Sequence, residues 1–172
     1  MFRTKCNLVS VCMCIVFAGA GVTVRAADLP DNLFLKEPPP GALNVAELKK
    51  TAKEGDEVVL RGQIGGQPKD VFNASRAMVM VADMKLKACS LIPGDACETP
   101  WDFCCVPVNE KLASLAIVQV VDEKGRPVKT TLKTNGLDHL SVVVVKGKVA
   151  KNEAGNLIVN ATGIFVESKP NK

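Results

Sequence analysis

Tyrosine is absent from this 172-residue chain, and tryptophan and histidine occur once each. With a single His139, no Ser/His/Asp arrangement and no clear acidic pair in a loop, no residues can be placed in the roles of nucleophile, base and acid. Nucleophile elbows, phosphate-cradling glycine loops and C-x-x-C pairs are missing as well. The sequence therefore predicts a protein that performs no chemistry and needs no cofactor. At 47% hydrophobic and 23% charged residues it is also neither a disordered tail, a collagen-like repeat nor a long coiled coil. The length is that of one domain.

Residues 1–26 place Arg3 and Lys5 before an uncharged apolar run, Leu8 to Gly21, and end in small residues with Val24 and Ala26 ahead of Ala27. This is the order of a cleavable secretory signal. The competing reading is a retained anchor, since Cys6 to Val24 is 19 residues without a charge, but no positive stop signal follows. Cys12 follows Val-Ser-Val, a poor context for lipid attachment. Cleavage would place the protein outside the cytoplasm, secreted or periplasmic, with no membrane span left. It would remove Arg3, Lys5 and Arg25 and no acids, lowering the net charge from +4 to +1 over 146 residues. Cys6, Cys12 and Cys14 would go too, leaving Cys89, Cys97, Cys104 and Cys105, an even set suited to disulfides in an oxidising compartment.

Residues 27–43 form an extended, Pro-rich segment, stiffened by Pro38, Pro39 and Pro40, that serves as a linker or strap. Asn44 and Glu47 then have capping-box spacing, and Val45, Leu48 and Ala52 share one side of a short helix that Gly55 stops. Five β-rich runs follow, Glu57 to Ile64, Ala77 to Met84, Ser114 to Val121, Ser141 to Ala150 and Asn156 to Glu167. Residues 151–156 make a turn that joins the last two as a hairpin, and 129–140 has room for a short helix or turn. Met78 and Met80, two apart on one strand face, are expected inside the barrel.

The fold class is thus all-β with one short N-terminal helix. Gly62 in the first run, Val143, Val145, Gly147 and Val149 in the fourth, and Ala161 and Ile164 in the last resemble a five-stranded OB-fold barrel. The stretch NVAELKKTAKEGDEVVLRGQI is similar to the helix and first strand of secreted bacterial OB-fold proteins. The resemblance spans residues 44–167 of a domain at 44–168 and is broken by an insert, 85–111, between the second and third runs; 169–172 is a tail. In its TPWDFCC run the insert resembles secreted proteins of planctomycete-type bacteria, which carry no activity over.

All four remaining cysteines lie in that insert, KLKACSLIPGDACETPWDFCCVPVNEK. Bonding Cys104 to Cys105 would close a strained ring, so the two favoured pairings send one to Cys89 and the other to Cys97. Each link across such loops contributes about 2 to 3 kcal/mol in the chain-entropy picture. Two alternatives remain open. Four thiolates suit zinc or Cu(I), with Met78, Met80, Met84 or His139 as further soft ligands, although the spacing is not that of a zinc knuckle and neighbouring cysteines splay apart. A vicinal pair can also exchange disulfides, although no base lies beside it.

Trp101, in Thr99-Pro100-Trp101-Asp102-Phe103, has two readings: a lid over the cysteine cluster, or with Asp102 and Phe103 a ligand-contact platform at the barrel mouth. His139 reads as a surface or turn residue. An OB-fold invites single-stranded nucleic acid, yet the second and third runs hold no aromatic, Lys or Arg, and +1 supplies little field. The expected function is a secreted, non-enzymatic binding or interaction module for a protein or small ligand. The alternatives are a periplasmic metal-binding protein, through Cys89, Cys97, Cys104 and Cys105, and a single-stranded nucleic-acid binder.

Overall fold

The computed structural model describes residues 28–67, 69–151 and 156–169. The expected signal at 1–26, the centre of the turn at 151–156 and the end of the tail lie outside the described residues. Six strands are formed among the described residues: β1 (Leu43–Asn44), β2 (Glu57–Ile64), β3 (Met78–Ala82), β4 (Leu115–Gln119), β5 (Val142–Lys151) and β6 (Leu157–Ser168). The α-helices among the described residues are α1 (Val45–Thr51) and α2 (Val108–Ala113).

All five β-rich runs become barrel strands. β2 pairs antiparallel with β3, β3 antiparallel with β4, β4 parallel with β6, β6 antiparallel with β5, and β5 antiparallel with β2. That circuit closes a five-stranded OB-like barrel, so no barrel strand is left with an open edge. β1 adds a short parallel pairing to the outside of β2. β2 must serve two neighbours, pairing with β5 over Glu57–Gln63 and turning to β3 at Gln63 and Ile64. Gly62 stands at that turn, where a Cβ would lie 2.5 Å from the Ala82 carbonyl oxygen and 2.6 Å from Val81 Cγ1. Any side chain there would force β3 away.

Alternation along the strands fills the interior. Leu60, Val81, Val118, Val145 and Val159 are completely or almost completely enclosed. Met78 and Met80 lie in the opposite phase: Val79 and Val81 point inward, and the two methionines are half-buried on the outer face. A run of five consecutive apolar residues leaves strand phase undetermined by pattern alone, and the β-branched valines take the crowded interior.

α1 begins as expected, with the Asn44 N–H donating to Glu47 Oε2 at 3.1 Å. It ends at Thr51, before Gly55, where the Ala52 N–H closes the last turn on the Leu48 carbonyl. The Pro-rich segment is a strap: Leu35 N–H donates to the Ile164 carbonyl at 2.8 Å, Ile164 N–H to the Leu33 carbonyl at 2.7 Å, and Leu33 is buried in the core. Residues 129–140 form turns, not a helix, anchored by buried Leu132 and Leu137.

Candidate metal centre

The insert leaves the barrel where β3 ends and returns at β4. Just ahead of it, Asp83 is fully buried, and its carboxylate accepts from the Ala46 N–H at 2.8 Å and the Lys85 N–H at 2.9 Å. One side chain thus ties the insert's start to the first turn of α1. At the far side, Lys49 Nζ donates to the Leu112 and Leu115 carbonyls at 2.7 and 3.0 Å, closing the end of α2. Burial lowers the Lys49 pKa from its ordinary value. Leu86, Ala88 and Phe103 pack on Ala82 as a small satellite core.

Phe103 decides where the last two cysteines point. Pro100–Asp102 form one 3-10 turn, after which Phe103 takes a left-handed conformation at φ 53°. Its ring is completely enclosed, so the backbone is reversed around a buried aromatic anchor and Cys104 and Cys105 emerge at the surface. The ring reaches so near the barrel that a Cβ on Gly65 would lie 2.7 Å from Phe103 Cε2 and equally close to the Trp101 carbonyl oxygen. For a bulky residue a positive φ costs energy, which the enclosure of the ring offsets.

Two aspartates set the cysteine backbone in the same way. Asp95 Oδ1 accepts from the Cys97 N–H and Asp102 Oδ1 from the Cys104 N–H, both at 2.8 Å. Asp102 is further held by Thr99 Oγ1, which donates to its Oδ2 at 3.1 Å, and its carbonyl accepts from Lys111 Nζ at 3.2 Å. The repeated Asp-x-Cys, at Asp95-Ala96-Cys97 and Asp102-Phe103-Cys104, is the sequence signal that would have found Asp95 and the positioning role of Asp102. An Asp accepting the N–H two residues on is a common local turn, and here each turn delivers a thiol.

The four cysteines converge. Cys104 Sγ lies 3.5 Å from Cys89 Sγ, 3.9 Å from Cys97 Sγ and 3.8 Å from Cys105 Sγ. Among the described residues no two sulfurs are at bonding distance. Cys89 is buried, Cys97 half-exposed, and Cys104 and Cys105 exposed. Asp102 Oδ1 lies 3.9 Å from Cys89 Sγ, and Cys105 Sγ lies 3.4 Å from Asp95 Oδ2. Crowding keeps the protons on: the Cys104 pKa is raised, first through its contact with Cys89, then with Cys105 and by desolvation. The contact with Cys104 pulls the Cys105 pKa down more than any other single influence, but Asp95, Cys89 and desolvation together raise it. A cation among the sulfurs would reverse this preference.

Trp101 does not cover this cluster. Its ring stacks on His139, with centroids 4.0 Å apart, while Nε1 donates to the Lys69 carbonyl at 2.9 Å. His139 also meets the edge of Phe72 and lies with Nδ1 3.1 Å from Asp138 Oδ1 and Nε2 3.2 Å from Asp70 Oδ1, the latter out of line for a hydrogen bond. Of the three residues read as a ligand platform, Trp101 is half-buried in this stack, Asp102 is buried beside the thiols, and Phe103 is enclosed. Met78, Met80 and Ile117 line a separate groove on the outer face of β3 and β4. No protein-family model and no curated protein matches the chain.

Proposed function

We propose that the protein is a secreted, non-enzymatic metal-binding module in which Cys89, Cys97, Cys104 and Cys105 are ligands for thiophilic d10 metal, zinc or Cu(I). The sulfur spacing carries this reading. Thiolates at about 2.3 Å from a tetrahedral zinc stand about 3.8 Å apart, and the three Cys104 separations are 3.5, 3.9 and 3.8 Å. A disulfide would need the same atoms at about 2.05 Å. The ion would fasten a loop with little core of its own to a barrel that needs no such help.

The test is mass spectrometry of the purified chain, native and then denatured. Four free thiols with a co-purified ion are expected; a mass about four hydrogens low with no metal would establish two disulfides and overturn the reading. Binding must displace protons from thiols whose pKa values lie above the ordinary range. Affinity is therefore expected to rise with pH, and acidification to release the ion.

A second reading, an interaction surface, is supported by the position of the three most exposed large apolar side chains. Leu91, Val108 and Leu112 are 70%, 68% and 60% exposed, and all three belong to the segment between β3 and β4. The combined substitution of the three by Ser is expected to abolish binding of an apolar fluorophore while leaving the metal in place; unchanged dye binding would remove the surface from consideration.

A further inference from the structure

We infer that the insert holds two ions that share the Cys89 sulfur, with Asp102 and Asp95 as oxygen donors. This rests on the metal-binding reading. The donors form two overlapping sets. Sulfurs of Cys89, Cys97 and Cys104 and a carboxylate oxygen of Asp102 lie within 4.8 Å of one another, and so do sulfurs of Cys89 and Cys105 with an oxygen of Asp95.

Three features favour two ions over one. The two donor sets divide Cys104 from the adjacent Cys105, and neither contains all four sulfurs. The carboxylates are already aimed. A zinc-bound sulfur and oxygen, at about 2.3 and 2.0 Å from the ion, stand about 3.5 Å apart, and Asp95 Oδ2 is 3.4 Å from Cys105 Sγ while Asp102 Oδ1 is 3.9 Å from Cys89 Sγ. Asp95 commits its other oxygen to the Cys97 N–H, so Oδ2 is turned toward the thiol by the backbone itself.

Charge gives the third argument. With the thiols ionised on metal binding, four thiolates and two carboxylates carry six negative charges, which one divalent ion leaves largely uncompensated; the Lys111 ammonium is spent on the Asp102 carbonyl. A second divalent ion halves the remaining charge, and a thiolate has lone pairs enough to bridge. The sets are not equivalent. The first offers four donors and closes around its ion; the second offers three, with Cys105 exposed, and leaves a coordination position open to solvent. The second ion is thus the exchangeable one.

Titration of the reduced chain with Zn(II), followed by native mass spectrometry, is expected to reach two ions per chain, and Cd(II) to give two cadmium-113 resonances. Asp95→Asn and Cys105→Ser are each expected to leave one ion and to abolish the same resonance, whereas Cys97→Ser abolishes the other. Saturation at one ion, with Asp95→Asn indistinguishable from the parent, would overturn the inference and leave a single four-sulfur site. No ion at all from a fully reduced, folded chain would instead overturn the metal-binding reading beneath it.

Discussion

Along β2 the backbone is paired with β5 on one side and with β1 and then β3 on the other, partners that lie as far as 91 residues away in sequence at Glu57 and Lys148. Between Asp83 and Ser114 most backbone hydrogen bonds span only three residues, such as Leu91 to Ala88, Asp95 to Ile92, Asp102 to Thr99 and Val106 to Phe103. Local bonds of this kind shape individual turns but leave their mutual arrangement open. What fixes the insert is a handful of long-range anchors: Asp83 on α1, Gln63 Nε2 on the Leu86 carbonyl at 2.6 Å, the Gly66 N–H on the Trp101 carbonyl at 2.7 Å, and the Phe103 ring against Gly65. The barrel is over-determined by its ladders and core, the insert is held at a few points only, and the four thiols lie where extra constraint has most to add.

Phe103 is the strongest challenge to that contrast, because it belongs to the insert yet touches the barrel. Phe103→Ala is expected to cost about 3 to 5 kcal/mol, read as a lower denaturation midpoint of the whole chain. If only amides of the insert lost protection from hydrogen exchange while the midpoint stayed, insert and barrel would be separate cooperative units, a still sharper division. Asp83→Ala comes next. It leaves the Ala46 and Lys85 N–H groups, both part-buried, without their acceptor, at about 1 kcal/mol. Exchange measurements should find the loss in α1 and the start of the insert; loss confined to β5 and β6 would contradict the anchoring.

How much of this could be read from residues alone follows the same division. The five strands were legible because β-branched runs between turn residues repeat the barrel's own physics, and α1 because Asn44 and Glu47 have the spacing of a reciprocal cap. The inward phase of β3 was not, since MVMVA is apolar at every position. The four cysteines were legible as one cluster, since they crowd into seventeen residues. Their arrangement was not, because it depends on Phe103 adopting φ 53° and on carboxylates that reach back to cysteine N–H groups. Trp101 misled for a related reason. A lone indole in a cysteine-rich stretch suggests a cover, but its partner, His139, arrives from the other side of β4, thirty-eight residues on.

The smallest expected effect belongs to the barrel's surface. Arg61 on β2 and Glu167 on β6 reach across β5 to form a two-pronged pair, Nε and Nη2 each donating to a carboxylate oxygen at 2.7 Å. Hydrogen bonding to Arg61 lowers the Glu167 pKa, so its contribution is complete above the ordinary carboxylate range and disappears as pH falls through the lowered folded value. Both side chains are more than a third exposed, at 37% and 38%, and solvent screens most of the attraction. Glu167→Gln is therefore expected to cost no more than about 1 kcal/mol at neutral pH, to lose even that in molar salt, and to match the parent in acid. A loss of several kcal/mol that salt did not relieve would mean that barrel closure leans on one ion pair. The ladders of β2, β5 and β6 argue otherwise: the three strands are joined by backbone pairing along nearly their whole length, and a surface pair laid over them has little left to hold.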